Sequence, residues 1–399
     1  MMRLFFIFFF ISGLTFAQEV VQDTAIIDTG YQKIKLKKHQ IKAVFGFLGQ
    51  DGDHSAVTGG EGTEELHVQS IRIIYLKKTK KNNQWNVKGG LDQITSASTD
   101  NIDFIKSSAS YHDLRGQVNV GFSYSDSTDT NTYIGVIGSS LESDYWSRQF
   151  GVKYKRKTKY GGMLQLKLNY NWDELRWGIV TAGIFDFTTM VYPSELRGIN
   201  WFNKSHRNSL TLSSKYTLIS SQRSRLGFMF DLTIQEGILS TPFHRVYFNN
   251  DDLRVEKLPF KRVKLPLSIQ YNYFISNGLI IKNYFRYYWD SFGMNSYTYS
   301  LQAPIKVKYW LWVKPFLRFY HQSGINYFNT YANHSSSKRY YTSDYDLSKF
   351  NSINYGLGLK FKKRQSWDRV NGYVFNLENY LRSDGLSFWQ TSFKIDVSF

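Results

Sequence analysis

Residues Leu164 to Asp173 read LQLKLNYNWD. Leu164, Leu166, Leu168, Tyr170 and Trp172 fall on one parity, and Gln165, Lys167, Asn169, Asn171 and Asp173 on the other. Successive side chains of a strand point to opposite faces, so this segment has one greasy face and one wet face. The pattern returns at Val118, Val120, Phe122 and Tyr124 against Gln117, Asn119, Gly121, Ser123 and Ser125. It returns again at Val263, Leu265, Leu267, Ile269, Tyr271 and Tyr273 against Lys264, Pro266, Ser268, Gln270 and Asn272. Strands of soluble proteins run to about 5–6 residues, whereas a tilted strand needs about 9–11 to cross a bilayer. These runs approach or exceed the second length. In a soluble sandwich they would leave greasy edges open to aggregation. A closed membrane barrel has no such edge.

Composition agrees. Aromatic residues make up 18% of the chain, yet it is polar on average. Alternating strands with one face in lipid and one in water produce that combination. The chain has no cysteine, which removes disulfides and thiolate chemistry. No low-complexity linker or internal repeat divides the 399 residues, so one large barrel is simpler than two or three soluble domains.

The segment MMRLFFIFFFISGLTFAQE has one basic residue, Arg3, then an apolar run from Leu4 to Ile11, then Thr15 and Ala17 at the positions a signal peptidase reads. This pattern predicts a secretory signal peptide over 1–17, cut between Ala17 and Gln18. The apolar run is too short for a spanning helix, which needs about 20 residues. Residues 18–39 are expected as a periplasmic N-terminal segment and 40–399 as the barrel.

The periodicity predicts strands at 40–50, 64–78, 84–96, 111–126, 129–141, 144–157, 160–173, 207–219, 222–235, 261–275, 278–289, 293–307, 309–322, 350–363, 368–382 and 385–398. That is an all-β, antiparallel transmembrane barrel of about 16 strands, even as in bacterial outer-membrane barrels. Long connections at 51–63, 97–110, 174–206, 236–260 and 323–349 alternate with short turns such as Ser127–Thr128 and Ser276–Asn277. Outer-membrane barrels have short periplasmic turns and long outer loops. In YWLWVKPFLRFY (Tyr309 to Tyr320) the alternation is not clean.

The chain closes with SFWQTSFKIDVSF. Trp389, Phe393, Ile395, Val397 and Phe399 share one parity. A terminal aromatic preceded by alternating apolar residues resembles the signal that barrel-assembly machinery reads, which singles out Phe399, Val397 and Ile395. Outer-membrane lipid and lipopolysaccharide are the other expected partners.

Two stretches stand apart from the strands. GQDGDHSAVTGGEGTEEL (Gly49 to Leu66) carries His54, Thr58, Gly59, Gly60, Gly62, Thr63 and Glu64. GGLDQITSASTDNIDFIKSSASYHDLR (Gly89 to Arg115) carries Ser96 and Ser98. HSAVTGGEGTE and LDQITSASTDNIDF resemble motifs of an uncharacterised Bacteroidota family, domain of unknown function 3570. The resemblance implies an outer-membrane-type barrel and envelope or periplasmic partners, since its members are often encoded beside thioredoxin-like and flavin-transferase proteins. It supplies no activity. Glu61 departs from it, standing where an apolar residue is expected.

Three readings of the stretches are open. They are tight turns packed inside the lumen, because Gly, Ser, Asn and Asp are ordinary turn formers. Alternatively Asp51, Asp53, Asp92, Asp100 and Asp103 hold a divalent cation such as Ca²⁺, which takes about 6–8 oxygens. In that reading the two loops meet inside the barrel near the outer ends of the first four strands. The third is a transition-metal site using His54, His67 or His112, although no HxH or HExxH spacing occurs. No organic cofactor is expected.

Catalysis is not expected either. His54–Ser55 and His334–Ser335 are adjacent pairs, but neighbours on a strand point apart, and no nucleophile elbow or phosphate-binding glycine loop occurs. The formal net charge is +18. KYKRKTK (Lys153–Lys159) and KFKKRQ (Lys360–Gln365) fit either a solubilising rim or an anion-favouring pore. Nucleic acid is excluded by location and by the scatter of the charges. Two function classes follow. One is a pore or transport conduit for small solutes or ions. The other is an accessory barrel with a loop-plugged lumen that serves a partner complex through loops carrying Tyr192, Trp201, Phe202 and Phe243.

Overall fold

The computed structural model describes residues 38–399 except 80–82, 97–111, 143–144, 160, 176–177, 182–183, 191–205, 242–243 and 363–368. Seventeen strand segments form one antiparallel sheet that closes on itself. The first strand, His39–Asp51, pairs with Leu66–Lys78 on one side and with the last strand, Ser387–Ser398, on the other. Two segments, Asn295–Gln302 and Ile305–Lys308, share one place between Leu279–Asp290 and Leu311–Ser323, so the ring has 16 strands. The periodicity predicts one strand over 293–307; the ladder breaks there at Ala303–Pro304. Proline has no N–H to give, but the register carries on across the break: the Ala303 N–H still donates to the Pro315 carbonyl at 3.1 Å, and Ile305 pairs with Val313 as Gln302 does with Phe316.

The long connections fall at one end, as expected, although not every connection there is long. Residues 126–130, 222–223 and 277–278 turn tightly at the end that holds His39 and Phe399. Connections 52–65, 176–205, 238–260 and 324–348 lie at the opposite end, where 142–144, 291–294 and 383–386 are also short.

The outer face carries the greasy parity. Leu114, Ile137 and Val152 are 62%, 59% and 60% exposed, and large apolar residues stand out from every strand of the ring. Soluble monomers rarely expose apolar patches beyond a few hundred Å²; a continuous belt is matched by lipid. Towards the loop end the belt stops at a charged pair. Outward-facing Arg148 pairs with Glu174 and lies between Trp146 and Trp172, at 4.1 and 3.8 Å from their rings. Indoles with a charge between them are what the membrane–water interface favours. The chain is therefore a barrel of the outer-membrane type.

Closure depends on the segment that ends at Phe399. His39 and Phe399 exchange backbone hydrogen bonds of 2.9 Å each way, and their rings stack at 5.3 Å. Inward-facing Asp396 accepts from Gln40 and Asn371, both at 2.8 Å. Phe399→Ala removes lipid contact worth about 1.5–3 kcal/mol at most, little for a 16-stranded ring. The expectation that Phe399 belongs to an assembly signal predicts instead a several-fold drop in the amount of folded barrel in the outer-membrane fraction. Heat-modifiability gels check this, and an unchanged level would count against the signal.

Among the described residues the fully buried apolar side chains do not lie in the middle of the barrel strands. They sit in the loop-end connections or at the strand ends beside them. Leu258, Phe292, Met294 and Ile325 form one cluster, and Val246, Phe248 and Tyr341 another. The loops thus have a hydrophobic core of their own, unlike ordinary surface connections.

Candidate functional site

Loop 52–65 joins the first and second strands and loop 238–260 the ninth and tenth, half the ring away. Hairpins on opposite walls of a barrel touch only if they reach across its mouth. These two do. Arg245 donates to the Val57 carbonyl at 3.4 Å, and Gly59 lies against the Tyr247 ring. Loop 324–348 joins them from a third position. Lys257 and Tyr341 exchange backbone hydrogen bonds of 3.0 and 2.8 Å, and Asn249 donates to the His334 carbonyl at 3.0 Å. The three loops form a lid over the lumen.

The motif HSAVTGGEGTE shapes one edge of this lid. Ser55 and Gly60 close a tight turn (Gly60 N–H to Ser55 carbonyl, 2.8 Å), and Ser55 N–H reaches the Gly62 carbonyl at 3.1 Å. Gly59, Gly60 and Gly62 have φ of 86°, 96° and 101°, the left-handed region that favours glycine. The Thr58 hydroxyl turns to the Ser55 and Glu61 carbonyls, and Thr63 Oγ1 accepts from Glu65 N–H at 3.3 Å. His54 Nδ1 bonds the Gly60 carbonyl at 3.0 Å while its ring stacks on Tyr345 at 3.8 Å. His54 is thus engaged within its own turn, and His67 faces Glu65 at an exposed position.

Of the acidic residues singled out in the sequence, Asp51, Asp53 and Asp92 are among the described residues. Asp51 and Asp53 are exposed at the lip. Asp92 is buried in the barrel wall, 3.6 Å from Arg72 and opposite Arg115 in register. Ser96 ends its strand opposite Leu66. Ser98, Asp100, Asp103, Tyr192, Trp201, Phe202, Phe243 and the first 37 residues lie outside the described residues.

A different cluster forms within the lid. His244 and Glu256 flank a short hairpin of Arg245–Tyr247 with Leu253–Val255, where Glu256 N–H bonds the His244 carbonyl at 2.9 Å. Both side chains meet Asp344 of loop 324–348. His244 Nδ1 lies 3.6 Å from Glu256 and 3.9 Å from Asp344. Next to them, Arg382 at the end of its strand binds Asp384 through Nε at 2.8 and 2.9 Å and Asp346 at 2.5 Å. Burial raises the Glu64 pKa, and Asp346 adds to this while Arg382 opposes it. Burial also raises Asp344, to about 6, opposed by His244 and helped by Asp346 and Glu256. For His244, burial disfavours the charge, but Glu256 and then the aspartates outweigh it and hold its pKa near about 9. No spacing motif joins these residues, so sequence reasoning missed them.

Below the lid the wet parity faces the lumen and is basic. Lys155, Lys167 and Lys215 lie within electrostatic reach of Lys153, and Lys282, Lys360 and Lys394 within reach of Lys314. A cavity of about 760 Å³ is lined by Lys282, Arg286, Arg318, Tyr284, Tyr320 and Tyr380 among others, with Glu378 as its one carboxylate. Phe316 faces this cavity too. Inward aromatic residues are the reason the alternation in Tyr309–Tyr320 is blurred.

A family profile described as "Protein of unknown function (DUF3570)" matches residues 79–386. The chain belongs to the DUF3570 family. The motif LDQITSASTDNIDF falls inside that span, and HSAVTGGEGTE precedes it. No curated protein matches the DUF3570 chain. Among solved structures it is similar to the siderophore receptor PirA from Pseudomonas aeruginosa (10% identity, TM-score 0.42, 91% of this chain and 81% of that one). It is also similar to PirA from Acinetobacter baumannii (11% identity, TM-score 0.42, covering 88%), of which it spans about half, 53%. A third is a bacterial polysaccharide outer membrane secretin (9% identity, TM-score 0.47, 90% and 98%).

Proposed function

We propose that this DUF3570 protein is a gated conduit for small anionic solutes. The observation that carries this reading is the basic lumen. Rings of Lys and Arg favour anions, and a barrel of about 16 strands is wide enough for an aqueous channel. The lid supplies the gate, with its own buried core and its polar cluster holding three loops together. The protein performs no bond chemistry in this reading. Reversal potentials in a salt gradient test it, with the lid opened. Chloride is expected to be favoured, and Lys282→Glu with Lys394→Glu to move the preference towards cations. An unmoved reversal potential would remove the lumen lysines from the account.

The lid also favours a second reading, a permanently plugged accessory barrel serving envelope partners. Absence of current after lid opening, with co-purifying proteins, would support that role. Both readings place the mature protein in the outer membrane after loss of Met1–Ala17. Intact mass of the membrane-extracted protein is expected to begin at Gln18, and a mass that retains Arg3 would sink the signal peptide.

A further inference from the structure

We propose that His244, Glu256 and Asp344 form a binding site for a divalent first-row transition-metal ion that pins loop 238–260 to loop 324–348. Their ligand atoms all lie within 4.8 Å of one another. The separations of His244 Nδ1 from Glu256, 3.6 Å, and from Asp344, 3.9 Å, are too long for hydrogen bonds. They are close to the spacing of ligands around one ion with bonds of about 2.0–2.2 Å. The Nδ1 atom is out of solvent and has no hydrogen-bond partner. A buried polar atom without a partner calls for an explanation, and an ion is one.

A second, independent observation is the charge of the surroundings. Glu64, Glu256, Asp344, Asp346 and Asp384 crowd this part of the lid, and Arg382 is paired with only two of them. Asp346 is open to water, but Glu256 and Asp344 are shielded from it and have only His244 beside them, which leaves a surplus of negative charge there. The carboxylates are also pre-aimed. Glu256 accepts from Thr241 N–H at 2.6 Å and from the Thr342 hydroxyl, and Asp344 Oδ1 accepts from Asp346 N–H at 2.9 Å. Such outer contacts orient metal ligands. The imidazole decides the class of ion, since nitrogen suits zinc and its neighbours while calcium takes oxygen. Three protein ligands leave a further position for water. The ligand nitrogen must be unprotonated, so binding releases the imidazole proton to the buffer. The site stands whether or not the barrel conducts.

Isothermal titration of Zn²⁺ into the chelator-treated, detergent-extracted full chain tests it. One ion is expected to bind per chain, with proton release, and Ca²⁺ at the same concentration is expected not to compete. His244→Ala and Glu256→Gln are each expected to weaken binding at least about tenfold, and His67→Ala to leave it unchanged. Visible bands of bound Co²⁺, present in the His67→Ala protein and absent in His244→Ala, give a readout of coordination in a protein whose fold is otherwise checked by heat-modifiability. No stoichiometric binding in the wild type, or binding kept in His244→Ala, overturns the proposal.

Discussion

Arg382→Ala is expected to open the lid. The Arg382 side chain is 3% exposed and holds Asp384, 12% exposed, through a forked contact. It also reaches Asp346 and packs at 4.2 Å over the Phe350 ring. Asp346 is 73% exposed, so its share of the bond is screened by water and small. The Asp384 share is not. Removing one partner of a buried pair costs about 3–5 kcal/mol, because the other charge stays behind unpaired. Here the loss reaches further, since Glu64 is also relieved by Arg382 and pressed by Asp346. The Arg382–Asp384 pair sits in the short turn between the last two strands and reaches loop 324–348 through Asp346, while the ladder hydrogen bonds of the wall run through neither side chain, so the barrel should survive while loops 52–65 and 324–348 separate. Limited proteolysis of intact protein in detergent measures it. Cleavage inside 324–348 should rise by at least tenfold at an unchanged barrel melting temperature. An unchanged cleavage rate would mean that Arg382 does not hold the lid.

Gly60→Val is expected to act on the same contact from the opposite loop. Gly60 has a φ of 96°, which a β-branched residue adopts only with strain. Strain of this kind costs on the order of 1–3 kcal/mol. A Cβ there would also sit 3.0 Å from the Ser343 carbonyl oxygen and 3.0 Å from the Tyr345 ring. The turn must either unwind or back away from loop 324–348, and either movement breaks the stack of His54 on Tyr345. Gly60→Ala should do the same more weakly. Fluorescence or disulfide trapping across the lid checks the order, because the native chain contains no cysteine and engineered pairs report alone. Equal trapping in wild type and Gly60→Val would show that the turn is not a lid contact.

The barrel was legible because its physics is local. A period of two, turn residues and a lipid-facing parity are properties of neighbouring residues, and strand after strand of the ring lies where the alternation places it. Legibility failed where the lumen wall is aromatic. Trp312, Phe316 and Tyr320 share the inward parity of Arg318, so apolar residues occur on both faces. The turn chemistry of His54–Glu64 could be read from its glycines, but its partners could not. Those sit in two distant loops, 238–260 and 324–348, brought close only when the ring closes. The same holds for His244, Glu256 and Asp344. Each lies in an unremarkable stretch, while the denser acidic run at Asp51 and Asp53 stays in solvent. Charge density along a chain marks loops; burial decides which charges must find a partner.

The central claim is that a basic conduit lies beneath a closing lid. The most direct measurement compares the wild-type chain with one in which residues 239–257 are replaced by a short glycine–serine linker, both in planar bilayers. Little steady current is expected through the wild type and a large, ohmic, chloride-preferring conductance through the shortened chain. Equal conductance in the two proteins, or none in the shortened one after its barrel is shown to be folded, would contradict it.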